Sequence, residues 1–334
     1  YSTPGYIMIP TGGTGGRLKL AMHTWGSLSA AAEALRAFFG AGAVSSVCTL
    51  PLHHVSGLMQ IVRACTTGGV VHFCPWKAVE AGRYPVEPLP GMRMVSLVPT
   101  QLHRLVGEPE AVAWLRHFDA VLLGGGPAPG RLLERAWAAG LPLAPVYGMT
   151  ETAAACCGLL PAEFAREPEL KGRPFPLTSV GAAADEPGPV TVDGPQLFHG
   201  YYPGPPCRPD GFETGDLGTR DAAGCLRVSG RADRRINSGG EKVDPARVEA
   251  ALCNEAGVAE ALVTGRPDAE WGERVVALVV PGEAPFPAEA ALRRLRAVLE
   301  PAALPRELIT VEHLPLDARG KVDPKALDRI LASN

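Results

Sequence analysis

Between residues 44 and 146, five short apolar runs alternate with segments whose apolar residues recur at helical spacing. Residues 44–50, 70–74, 94–98, 121–123 and 143–146 read as buried strands. Residues 28–39, 58–65, 100–106 and 130–139 carry the helical pattern. Strands with no polar face are covered on both sides, as in a parallel sheet flanked by helices. This alternation predicts a large layered α/β domain and excludes an all-helical or all-strand chain. From about residue 161 to 209 Pro and Gly dominate, which predicts a β-rich subdomain with strands at 189–195 and 226–229. A boundary is expected at Gly230-Arg231-Ala232-Asp233-Arg234, giving a large domain over 1–231 and a small α+β domain over 232–334. In the latter, helices are expected at 245–255, 288–299 and from Pro324, with strands at 258–264, 275–280 and 308–312. Asp244 and Asp323 stand as N-caps before first-turn prolines.

Composition narrows the function. The 334 residues are 46% hydrophobic and 20% charged, with a formal net charge of −3. That balance offers no bulk electrostatic attraction for nucleic acid or an anionic membrane, so an anionic ligand needs locally placed donors. No apolar run reaches the ~18 residues of a membrane helix, and the opening residues lack the basic and apolar regions of a signal peptide. The eight Cys show no CxxC spacing. Reduced thiols in a cytoplasmic, zinc-free protein are expected, as a monomer or homodimer.

Four short stretches can carry chemistry. Thr11-Gly12-Gly13-Thr14-Gly15-Gly16-Arg17-Leu18-Lys19 joins flexible glycines, hydroxyls and a cation, the makings of an anion cradle. It is no Walker A loop, and it also reads as a turn between strands. Tyr147-Gly148-Met149-Thr150-Glu151-Thr152 follows an apolar strand, where a hydroxyl and a carboxylate can meet a phosphate and its Mg2+. Glu151 equally suits the start of a helix. Gly211-Phe212-Glu213-Thr214-Gly215-Asp216-Leu217 reads, taken alone, as a tight turn that uses Asp216 for its own backbone. Leu316-Asp317-Ala318-Arg319-Gly320-Lys321 reads alone as a solvated lysine on a glycine turn.

In this order and at this spacing the four resemble the core motifs of the adenylate-forming superfamily, which includes acyl-CoA synthetases and adenylation domains. Leu50-Pro51-Leu52-His53-His54-Val55-Ser56-Gly57, Leu123-Gly124-Gly125-Gly126-Pro127-Ala128-Pro129 and Asn237-Ser238-Gly239-Gly240-Glu241-Lys242 extend the likeness over nearly the whole chain. The Gly-Gly-Gly-Pro-Ala-Pro and Tyr-Gly-Met-Thr-Glu-Thr stretches are most similar to the o-succinylbenzoate–CoA ligase subfamily of menaquinone and phylloquinone synthesis.

The resemblance implies an ATP- and Mg2+-dependent ligase that makes an acyl-adenylate and passes the acyl group to coenzyme A. It places Thr11, Gly12, Gly13, Thr14, Gly16 and Lys19 around the β- and γ-phosphates. Gly124, Gly125, Gly126 and Tyr147 flank adenine, and Asp216 holds the ribose with Arg231 nearby. Thr150 holds the α-phosphate, Glu151 the Mg2+, and Lys321 the attacking carboxylate. His54, Ser56, Gly148 and Thr152 face the acyl group. Asp233 is the hinge about which the small domain turns, and Ser238, Gly239 and Gly240 face coenzyme A. An acid with two carboxylates needs a donor for the one that does not react, and Ser56, His54 and Arg63 are the candidates.

The chain departs from the family at Gly12 and Gly15, where hydroxyls are usual, and at Leu18 and Leu20, which replace Pro and Gly. Relatives usually carry a substantial region before the phosphate loop, so a shortened N-terminal region is expected. The rival readings are another acyl- or aryl-CoA ligase, an enzyme that loads a carrier protein, and a non-catalytic nucleotide-binding remnant.

Overall fold

The computed structural model describes residues 5–11, 19–86, 88–167, 171–206, 209–282, 284–316 and 322–333. Contacts divide the chain into two compact units, one of residues 1–128 and 132–228, the other of 129–131 and 229–334.

Along the first unit run β1 (Ile7–Thr11), β2 (Lys19–His23), α1 (Trp25–Phe38), β3 (Val44–Cys48), α2 (Val55–Thr67), β4 (Val71–Phe73) and α3 (Trp76–Glu80). Next come β5 (Met92–Leu97), α4 (Pro99–Leu105), α5 (Pro109–Leu115), β6 (Ala120–Leu123), α6 (Gly130–Ala138), β7 (Leu143–Met149), β8 (Ala154–Gly158) and α7 (Pro161–Arg166). Then follow β9 (Arg173–Pro174), β10 (Ser179–Gly181), β11 (Gly188–Asp193), β12 (Tyr201–Tyr202), β13 (Phe212–Arg220) and β14 (Leu226–Arg231), whose last three residues belong to the second unit.

The main sheet has the order β4-β3-β5-β6-β7-β8-β9. The strands from β4 to β7 are parallel, and β8 and β9 continue antiparallel. Alternate residues sort onto two faces, as the pleat requires. Val47, Val95, Leu97, Val121, Leu123 and Leu143 join one core with α4–α6, whereas Val44, Met94, Ala120, Leu122 and Ala144 join another with α1. Because β3, β5, β6 and β7 are parallel, their carboxyl ends lie on one edge, where open α/β sheets bind ligands. That edge leads into residues 49–56, 98–101, 124–128 and 150–152.

Two smaller sheets complete the unit. One is the β1–β2 hairpin with β12 added at its edge; the other has the order β10-β11-β13-β14. The stretch from 161 to 209 is therefore not wholly β, because α7 opens it. Pro161 starts that helix, and the buried Phe164 anchors it to the core.

The second unit holds β15 (Ile236–Ser238), β16 (Glu241–Val243), α8 (Pro245–Cys253), β17 (Val258–Asp268), β18 (Gly272–Pro281), α9 (Ala288–Leu295), β19 (Glu307–Thr310) and α10 (Pro324–Ser333). The Asp244 carboxylate accepts the Ala246 N–H at 3.0 Å, capping α8 as its sequence predicts. Val275, Ala277 and Val279 of β18 face a core shared with α8 and α9. Val276 and Leu278 face the other side, where Leu327, Ile330 and Leu331 of α10 lie. All seven described Cys are free thiols, six of them buried.

Candidate active site

The turn between β7 and β8 is the densest part of the parallel edge. Thr150–Thr152 form one 3-10 turn, and Ala153 and Ala154 leave it with φ of 51° and 72°. Left-handed backbone at two consecutive non-glycine residues is strained, and such strain gathers at functional sites. Gly148 permits the turn: a Cβ there would meet the Ala154 carbonyl oxygen at 1.9 Å. Thr152 is fully buried, and its hydroxyl accepts the Met149 N–H at 2.9 Å and reaches the Ala154 carbonyl at 2.7 Å. Thr152 therefore shapes the turn, where the sequence reading set it facing the acyl group.

Two residues not singled out from the sequence hold this turn. The Thr24–Ser27 capping box starts α1, and just before it His23 is completely buried. His23 Nε2 donates to the Thr150 carbonyl at 2.8 Å. Burial, reinforced by His199, pushes the His23 pKa down to about 4 against the pull of that hydrogen bond. The ring is therefore neutral, and its Nδ1 accepts from the Ser27 hydroxyl at 3.0 Å. Glu151 is 7% exposed, and its Oε1 accepts from the Tyr201 hydroxyl at 2.7 Å. Only the spacing between β2, β7 and β12 in the folded chain shows these contacts.

Asp216 lies within β13, not in the tight turn its sequence suggests taken alone. Between Pro189 and Thr191 of β11, four steps of β13 oppose two, so β13 bulges around Thr214–Asp216. Gly215, at φ 76°, supplies the left-handed residue that the bulge needs. Bulges re-aim side chains; here Asp216 Oδ2 accepts from the Tyr147 hydroxyl at 2.6 Å. Burial and the Asp216 charge push the Tyr147 pKa up, so it stays a neutral donor. Tyr147, expected beside adenine, thus also braces the carboxylate expected at the ribose. At the end of β6, Gly124 lies against the Val146 side chain and Gly125 takes φ 85°, while a Cβ on Gly126 would meet nothing within 4 Å.

On the acyl side, His54 is the N-cap residue of α2 without a capping side-chain bond, and its ring lies 4.3 Å from that of His53. Ser56, Gln60 and Arg63 are spaced four and three apart, so they share one helical face. Gln60 Nε2 donates to the Ser56 carbonyl, and its Oε1 has no hydrogen-bond partner among the described residues. Arg63 is 4% exposed and donates through Nε to the Met59 carbonyl, but its Nη1 finds no partner among them. Burial lowers its pKa to about 10, which leaves it charged at neutral pH. Gln60 escaped the sequence reading because a glutamine on an apolar helix carries no motif.

Lys19 and Thr11 pair across β1 and β2 at the mouth of the glycine loop, and Lys19 Nζ lies 5.3 Å above the Tyr201 ring. Gly12, Gly13, Thr14 and Gly16 lie outside the described residues, as does Lys321. In the second unit Arg231 grips Asp233 with two hydrogen bonds of 2.8 and 3.0 Å, which holds the Asp233 pKa below its usual value. Arg231, expected near the ribose, thus spends its guanidinium on a neighbour. Ser238 ends β15 with its Oγ buried and unpartnered among the described residues. Gly239 faces the Trp271 ring, which a Cβ would meet at 2.9 Å, and Gly240 takes φ 86°. The Arg306 guanidinium lies 3.8 Å from the centroid of the same Trp271 ring, a cation–π contact.

Thr150 and Glu151 offer hard oxygen donors. Among the described residues there is no group of three or more His, Cys, Asp or Glu able to hold a metal. One carboxylate completed by substrate phosphates suits Mg2+, which rarely occupies an all-protein cage. No described helix is long and apolar enough to cross a membrane.

Known families and proteins match the chain over most of its length. The model of the AMP-binding enzyme family matches residues 5–202, and that of the AMP-binding enzyme C-terminal domain matches 247–321. A Mycobacterium tuberculosis protein named probable 2-succinylbenzoate–CoA ligase is 37% identical over 98% of this chain and 84% of its own length. The o-succinylbenzoate–CoA synthetase of Bacillus subtilis, bound to the acyl-adenylate OSB-AMP, superposes with a TM-score of 0.79. The match is 29% identical and covers 94% of this chain and 67% of that one. A second structure of that synthetase, with ATP and magnesium, gives a TM-score of 0.78 at 30% identity, over 94% of this chain and 68% of that one.

Proposed function

The chain belongs to the AMP-binding enzyme family, and from that premise we propose that it is an o-succinylbenzoate–CoA ligase. In the first step one carboxylate oxygen of the acid attacks the α-phosphorus of ATP, and the bond to pyrophosphate breaks. In the second, the coenzyme A sulfur, having lost its proton, attacks the acyl carbon and AMP leaves. The family's resemblance and the relatives' names support the acid; Arg63 is the observation that carries it. A buried guanidinium without a full set of partners costs several kcal/mol. Its retention is explained when the ligand brings an anion, and o-succinylbenzoate carries a second carboxylate that must be held without reacting.

A carboxylate is a poor nucleophile towards a polyanion, so the site must align the two and offset their repulsion. Thr11, Gly12, Gly13, Thr14, Gly16 and Lys19 are assigned to the β- and γ-phosphates. Gly124–Gly126 and Tyr147 are assigned to adenine, Asp216 to the ribose, and Thr150 to the α-phosphate. Magnesium, held by Glu151, supplies charge neutralisation when bound. Lys321 is assigned to the approach of the carboxylate to phosphorus. Residues 232–334 are assigned as the small mobile domain, with Asp233 as hinge and Ser238–Gly240 on the coenzyme A side.

Incubation with ATP, Mg2+, coenzyme A and o-succinylbenzoate should yield the thioester, detected by its mass. Arg63→Leu should raise the KM for o-succinylbenzoate about a hundredfold, as expected when one member of a buried ion pair is removed. The same variant should leave the KM for an aromatic monocarboxylate nearly unchanged. Equal effects on both acids would rule out Arg63 as the recognition group and favour the rival aryl-CoA ligase.

A further inference from the structure

Residues 198–202 touch both halves of the phosphate-binding machinery. Tyr201 and Tyr202 of β12 pair with Ala21 and Leu20 of β2. The Met22 N–H donates to the Gly200 carbonyl at 2.9 Å, and the His199 N–H to the Met22 carbonyl at 2.6 Å. The same segment reaches the acidic turn, because the Phe198 N–H donates to the Glu151 carbonyl at 3.0 Å. Phe198 also stacks edge-on against Tyr201 at 4.8 Å and Phe212 at 5.1 Å. Tyr201 is thus held on three sides, with its hydroxyl on Glu151 Oε1 and the Lys19 ammonium over its ring.

We propose that Tyr201 is a positioning residue for metal–nucleotide binding, fixing the Glu151 carboxylate through Oε1 and seating Lys19 beside the phosphate loop. The proposal rests on the assignment of Glu151 to the metal. A charge-assisted hydrogen bond to one oxygen selects a single carboxylate rotamer and leaves Oε2 for the cation. A neutral phenol does this without the repulsion that an ammonium or guanidinium would exert on the metal. The ring face attracts the Lys19 ammonium, which removes part of the entropy of a long side chain before the phosphates arrive. Strand alternation turns the neighbouring Tyr202 outward, 49% exposed, which makes it an internal control.

The test uses binding, with Mn2+ as a paramagnetic probe in place of Mg2+. Free Mn2+ is followed by electron paramagnetic resonance during titration with ATP and protein, and AMP binding without metal is followed by calorimetry. Glu151→Gln comes first: if it binds Mn2+–ATP as the wild type does, the metal assignment itself is wrong. Given its loss, Tyr201→Phe should weaken Mn2+–ATP binding about tenfold, the worth of one charge-assisted hydrogen bond. It should leave AMP binding within twofold, and Tyr202→Phe should leave both unchanged. In the Glu151→Gln background, Tyr201→Phe should cost nothing further, since the hydroxyl acts through that carboxylate. Tyr201→Leu should in addition weaken metal-free ATP, because Lys19 loses its aromatic seat. Unchanged Mn2+–ATP binding in Tyr201→Phe, or equal losses for AMP and Mn2+–ATP, would overturn the proposal and leave Tyr201 a packing residue.

Discussion

Burial keeps the His23 imidazole neutral, and neutrality is what lets Nε2 donate to the Thr150 carbonyl while Nδ1 accepts from Ser27. The folded pKa of about 4 lies below the ordinary 6.5, so between those values the unfolded chain binds the proton more readily. Stability from this group is complete above about pH 6.5 and is lost as the pH falls towards 4, by about 3 kcal/mol in all. His23→Gln keeps a donor within reach of Thr150 but does not titrate. Its urea midpoint should therefore fall less than that of the wild type between pH 7 and pH 4.5; parallel curves would refute the assignment. The residue scale is also where the sequence was least complete. Thr150, Glu151 and Asp216 stand in recognisable strings. His23 and Tyr201 act on partners 127 and 50 positions away, a distance that no local pattern spans.

The β7–β8 hairpin shows what an element adds to its residues. Its strands approach so closely at Gly148 that the carbonyl of Ala154 fills the space of any side chain. Gly148→Ala should therefore separate the strands or distort the turn carrying Thr150 and Glu151. A destabilisation of about 1–3 kcal/mol is expected, together with a fall in ATP–pyrophosphate exchange larger than stability alone explains. Normal exchange with an unchanged melting temperature would show that the turn tolerates the shift. The strands between 44 and 146 were legible because they are unbroken apolar runs, and the longer helices because of their period, whereas the short α3 and α5 were not read. β13 was not legible either, since Gly211 and Gly215 beside an aspartate imitate a turn, whereas Gly215 in fact permits a bulge within the strand. The pairing of the two-residue β12 with β2 depends wholly on tertiary contact.

For the whole molecule, the order of motifs revealed more than any of its parts, because each had an ordinary structural explanation by itself. A two-step ligase must exchange a group that aids adenylation for one that aids thiol attack. Asp233 lies near the start of the second unit, in the 3-10 turn Ala232–Arg234, clasped by Arg231. Proline restricts φ to about −65°, which suits the 3-10 turn described here but forbids a wide rotation at that bond. If Asp233 is the hinge, Asp233→Pro should preserve pyrophosphate exchange within about threefold and slow thioester formation from preformed acyl-adenylate by at least about tenfold, a barrier increase of ~1.4 kcal/mol. Lys321→Ala should do the reverse, abolishing exchange while leaving the attack of coenzyme A on supplied acyl-adenylate largely intact. The paired signature matters more than either loss: a merely unstable linker would depress both half-reactions together in Asp233→Pro, and would then fail to mirror Lys321→Ala.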